Sequence, residues 1–127
     1  MAALEKSSVL EEVNDAQSGG RPIDLVHLSR QSLGDSGLEA EILRMFDQMA
    51  LDYMSKIRQS TNVETTLMHL HALKGASAGV GANNIAILAK AAEMETKLAG
   101  KLSNECLADL RMAVEEVRYF IAELLED

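Results

Sequence analysis

One stretch of the chain, His71-Ala-Leu-Lys-Gly-Ala-Ser-Ala-Gly-Val-Gly81, concentrates the residues able to do chemistry. If it is helical, His71, Lys74 and Gly75 share a face, because positions i, i+3 and i+4 are neighbours on an α-helix. The imidazole then has a cation beside it and, next door, a residue with no side chain. That arrangement suits a histidine that a bulky partner must reach while it carries an anionic group. A neutral imidazole offers a nucleophilic nitrogen near pH 7. Lysine supplies a compact positive charge, and glycine lets another surface come close.

Helical geometry sorts the neighbours. At about 100° per residue, with His71 at zero, Leu67, Met68, Lys74, Gly75 and Ala78 fall within roughly 60° of it. Thr66, Leu70, Leu73, Ser77 and Val80 fall opposite and make the expected core face. His71 is therefore expected to point to solvent. His69 lies about 160° around the helix, near the core edge. Two histidines so placed on one helix cannot share a metal, and no metal site is expected. The face around His71 is small and apolar apart from Lys74, whereas a merely solvated face would carry more charge. Gly75 costs about 1 kcal/mol against alanine inside a helix, and close approach of a partner would offset that cost.

The elements that must position these residues are read from apolar period and caps. A length of 127 residues fits one domain, and 47% hydrophobic content allows a real core. With 3% aromatic residues, no Trp and seven Met, that core must be aliphatic. A single proline and the lack of a long alternating stretch favour helix throughout. Residues 1–20 read as a tail in which Leu4, Leu10 and Val13 allow a short helical turn, broken by Gln17-Ser-Gly-Gly-Arg-Pro22. The domain is expected over 21–127.

Five helices are expected there. The first runs from Ile23 to Leu33, with Asp24 at its start and Gly34 as its stop. The second runs from Gly37 to Gln59 behind Asp35 or Ser36, with Leu38, Ile42, Met45, Phe46, Met49, Tyr53 and Ile57 as its apolar stripe. The third runs from Val63 to Val80 behind Asn62. The fourth runs from Asn84 to Ala99 behind Asn83 and is closed by Gly100. The fifth runs from Asn104 to Leu125 behind Ser103, with Leu107, Leu110, Val114, Val117, Ile121 and Leu124 as its stripe. Short connections make neighbours antiparallel. The expected fold is an all-α, antiparallel up-down four-helix bundle with an additional short N-terminal helix.

Charge and cysteine content narrow the function classes. A net charge of −8 argues against nucleic acid and against an anionic membrane surface as partners. One cysteine, Cys106, precludes an intrachain disulfide, and its apolar helical setting reads as a small buried hydrophobe. The N-terminal residues show no leader pattern and no apolar run is long enough to span a bilayer, so a cytoplasmic protein is expected.

With His71, Leu73, Lys74, Gly75, Ser77, Ala78 and Gly81 in this order, the chain resembles the histidine-containing phosphotransfer (HPt) family. The resemblance continues through Leu88 and Ala92-Glu93, begins near Pro22-Ile-Asp-Leu, and covers about residues 22–125. It implies that His71 is a phosphoacceptor, with Lys74 stabilising the phosphoryl charge. It implies that Glu93, on the next helix, orients the imidazole as second-shell partners do elsewhere. Leu67, Met68, Gly75 and Ala78 become partner-binding positions. The implied partners are response-regulator receiver domains, with a hybrid histidine kinase as a further candidate. The chain itself then needs no cofactor, because Mg²⁺ and the acidic pocket come from the receiver. It is expected to be a monomer without kinase activity, since it has no nucleotide-binding loop.

Taken alone, Lys74 is a solvated lysine, Glu93 a surface carboxylate, His69 a partly buried histidine and His27 structural. The competing function is a helical adaptor that binds receivers without being phosphorylated. A third reading is a phosphoacceptor served directly by a separate kinase.

Overall fold

Local capping chemistry sets most of the helix boundaries. In a computed structural model, which describes residues 20–126, the described residues form five helices and no strand. They are α1 (Leu25–Gln31), α2 (Ser36–Gln59), α3 (Val63–Val80), α4 (Asn83–Ala99) and α5 (Asn104–Leu125). Four of them start behind a side chain that accepts from a backbone N–H of the first turn. Asp24 accepts from His27, Asp35 from Leu38, Asn62 from Thr65 and Ser103 from Cys106. Each such cap is worth about 1 kcal/mol. The turn expected within residues 1–20 lies outside the described residues.

The bounds of three helices differ from expectation, those of α2 only in that it starts one residue early, at Ser36. α1 is shorter than Ile23–Leu33. Ile23 is fully buried ahead of the cap, and the chain leaves the helix at Leu33 (φ 56°) and Gly34 (φ 79°). Asn83 is not the cap of α4 but its first residue. The cap position is Ala82, which has no capping side chain. The cause is the closing turn of α3. Gly81 adopts φ 86°, and the Ala82 N–H donates back to the Ser77 carbonyl at 2.8 Å, as in a Schellman motif. Only Gly81 and Ala82 connect α3 to α4, and Ala82 is fully buried, so Asn83 has no room to lie outside the helix.

α1 is fastened to this same turn. The Asp24 N–H donates to the Gly81 carbonyl at 2.9 Å. A Cβ on Gly81 would lie 3.0 Å from the Asp24 carbonyl oxygen. Glycine is thus required twice at position 81, by its left-handed backbone and by this approach. His27 of α1 adds a ring-nitrogen contact of 3.0 Å to the Gly79 carbonyl in the last turn of α3.

The four long helices pack in a ring, α2 on α3, α3 on α4, α4 on α5 and α5 on α2. They enclose one hydrophobic core, aliphatic apart from Phe46, that includes Leu43, Leu70, Leu73, Ile85, Leu110 and Val117. Thr66, Leu70, Leu73 and Ser77 of α3 are buried as its spacing predicts, while Val80 packs partly against the core.

The stripe expected for α2 is displaced. Its buried face is Leu43, Phe46, Ala50, Met54 and Ile57, whereas Leu38, Met45 and Met49 are exposed and Ile42 and Tyr53 lie at the core edge. α2 carries more apolar residues than one face can bury, so period alone does not say which are left out. The flank of α2 that bears Asp47 faces α5, through an Arg118 Nε–Asp47 Oδ1 bond of 2.8 Å. Met45 and Met49 lie about 160° around the helix from Asp47. On α5, Leu124 is exposed and Leu125 packs against the core in its place.

Candidate functional site

The buried face of α3 forces His71 outward. Leu70 and Leu73 have no exposed surface, and the His71 side chain between them is 72% exposed. Glu93 reaches it from α4. On that helix Ala89 and Ala92 are fully buried, which fixes the helix against the core and sets Glu93 at its α3-facing edge.

Glu93 divides its carboxylate between two partners. Oε2 lies 3.2 Å from His71 Nδ1, and Oε1 lies 2.7 Å from Lys74 Nζ. Its side chain is only 9% exposed and that of Lys74 29%. Burial pushes the Glu93 carboxyl pKa up. Hydrogen bonds from Lys74 and His71, with the charges of both, outweigh burial and leave it below its ordinary value. An ionised carboxylate only accepts hydrogen bonds. The proton of a neutral His71 ring therefore belongs on Nδ1, and Nε2 keeps its lone pair on the exposed side.

The structure thus brings together the three residues singled out for chemistry, His71, Lys74 and Glu93. It gives Lys74 a partner that the spacing within one helix could not reveal. His69 sits at the core edge, half-buried, and takes no part. No group of three or more His, Cys, Asp or Glu among the described residues is placed to hold a metal ion.

The family model of the Hpt domain matches residues 41–120, a span that holds all three. The chain belongs to the Hpt domain family. No curated protein and no solved structure matches it. Hpt domains take part in histidine phosphotransfer in phosphorelays and interact with response-regulator receiver domains. No helix among the described residues is long and apolar enough to cross a membrane.

Around His71 this Hpt domain presents a low, apolar surface. Met68 is 59% exposed, Gly75 and Ala78 are exposed and Leu67 is half-buried. A Cβ on Gly75 would meet nothing within 4 Å, so no internal contact requires glycine there. The same holds for Gly79, one turn further along the helix. Leu38, Met45 and Met49 of α2 are exposed as well. These α2 residues escape a reading of the His71 helix alone. Their signal in the sequence is the surplus of apolar residues on α2 beyond what one face can bury.

Proposed function

We propose that this chain is a phosphoryl carrier. It accepts a phosphoryl group on His71 from the aspartate of one receiver domain and delivers it to the aspartate of another. The observation that carries the reading is the Nδ1 contact with Glu93, which leaves the Nε2 lone pair directed at solvent. In the step, the Nε2 lone pair forms the N–P bond. The P–O bond to the donor aspartate breaks, and its electron pair returns to the donor carboxylate. Transfer of this kind depends mainly on positioning and charge stabilisation. Here Glu93 orients the ring and Lys74 supplies charge to the phosphoryl oxygens, while Mg²⁺ is carried by the receiver. Leu67, Met68, Gly75 and Ala78 form the docking face.

The ring of contacts among the long helices and their short connections support an antiparallel up-down four-helix bundle, with α1 across one end. That domain takes up the chain from residue 21 onward. The protein works as a cytoplasmic monomer without kinase activity of its own.

The test is uptake of acid-labile, base-stable label from a phosphorylated receiver. Wild type takes up label. His71→Gln, with unchanged helical circular dichroism, takes up none. Equal labelling of both proteins, or none of wild type by a panel of phosphorylated receivers, contradicts the proposal.

A further inference from the structure

We infer that Lys74 changes partners during the reaction: Glu93 holds it while His71 is free, and the phosphoryl group takes it once His71 is phosphorylated. The inference rests on His71 being the acceptor.

Charge drives the exchange. Before transfer, Lys74 Nζ sits 2.7 Å from Glu93 Oε1, and the pair is neutral as a unit. Glu93 Oε2 meanwhile accepts from a neutral ring at 3.2 Å. Attack by Nε2 changes both sides. The ring keeps its Nδ1 proton while Nε2 gives its lone pair to phosphorus, so the ring becomes cationic and the new group on its outer side is a dianion. The carboxylate then has a cation against Oε2. The ammonium has a dianion one helical turn away, on the same face. Hydrogen bonds between two charged groups are the strongest available here. The arrangement that satisfies all four charges pairs Glu93 with the ring and Lys74 with the phosphoryl oxygens.

Lys74 can make this move. Its side chain is partly exposed, and its long flexible stem carries a compact charge that is not tied to one bidentate geometry. The resting pair has a consequence for the relay. Glu93 competes with the phosphoryl group for Lys74 and so keeps phospho-His71 from becoming too stable to pass its group on. Glu93 is then a positioning residue with two tasks, holding the ring and withholding the lysine.

The Lys74 ammonium ¹⁵N resonance, followed in wild type and Glu93→Gln before and after phosphorylation by a receiver, reads this exchange. Glutamine keeps an oxygen for Nδ1–H and loses the charge that holds Lys74. Phosphorylation should move the wild-type signal to the position it takes in phosphorylated Glu93→Gln, and the ³¹P signal should show phosphohistidine. Lys74→Met should also lower the equilibrium share of label on His71 by about fivefold, the size expected of one partly exposed charged contact, and Lys74→Arg should restore part of it. A Lys74 signal that stays in place while phosphohistidine forms overturns the exchange and leaves the carrier reading intact. Absence of phosphohistidine overturns both.

Discussion

Glu93 Oε2 lies 3.2 Å from Nδ1 of His71 although the two residues are 22 positions apart. This contact decides which ring nitrogen carries the proton. In ¹⁵N spectra near pH 7.5 the wild-type ring should be predominantly the Nδ1–H tautomer. In Glu93→Ala it should become a mixture, with Nε2–H gaining at the expense of the nucleophilic form. A ring whose tautomer ratio ignores the substitution would mean that Glu93 does not orient it.

The same carboxylate gives a pH dependence of stability. Burial opposes its ionisation, but hydrogen bonds and charge from Lys74 and His71 leave its folded pKa lowered. A carboxyl lowered in the folded state stabilises above its unfolded value, about 4.3. That contribution is lost as pH falls through the lower folded value. In urea unfolding, the advantage of wild type over Glu93→Gln should be full at pH 7 and shrink steadily below about pH 4. A difference that is constant across this range, or that grows on acidification, would contradict the assignment.

Two glycines of the motif should respond oppositely to alanine. Gly75 lies in mid-helix with nothing within 4 Å of an added Cβ. Gly75→Ala should therefore stabilise the fold by up to about 1 kcal/mol while weakening receiver binding. Gly81 has φ 86°, and its added Cβ would press on Asp24. Gly81→Ala should destabilise by about 1–2 kcal/mol from the left-handed backbone alone. Thermal melts together with receiver titrations separate the two effects. Gly75→Ala binding a receiver as tightly as wild type would remove close approach as the reason for that glycine.

What the sequence disclosed depended on how local the determinant was. Asn62 and Ser103 act on N–H groups within three residues, so the starts of α3 and α5 were legible, and Asp35 places that of α2 within one residue; Asp24 caps α1, but the helix was expected to begin at Ile23, ahead of that cap. The outward setting of His71 was legible too, because Leu70 and Leu73 fix the buried face of the same helix. The start of α4 was not, since it is set by the tight Gly81–Ala82 link and by burial of Ala82. Nor was the core face of α2, where Met45 and Met49 look as apolar as Met54 but only Met54 is buried. The Lys74–Glu93 pair needed the register of α3 against α4, which no single-helix pattern contains.

Cys106 should be a poor nucleophile. Burial, a hydrogen bond with Glu95 and the charges of Glu95, Asp109 and Glu105 push its thiol pKa up to about 11. Little thiolate forms at pH 8, and alkylation by iodoacetamide should run about a hundredfold slower than for an unperturbed thiol. Unfolding in urea should restore the ordinary rate. Rapid modification of the folded protein would show that the thiolate forms readily in place.

The central claim is that Nε2 of His71 carries the phosphoryl group. The most direct measurement is a ¹H–¹⁵N correlation of the histidine rings after phosphorylation by a receiver, combined with ³¹P observation. The account predicts one phosphohistidine, with phosphorus on Nε2 of His71, a retained proton on Nδ1, and the rings of His27 and His69 unchanged. Phosphorus on Nδ1, on another histidine, or on no histidine at all would contradict it.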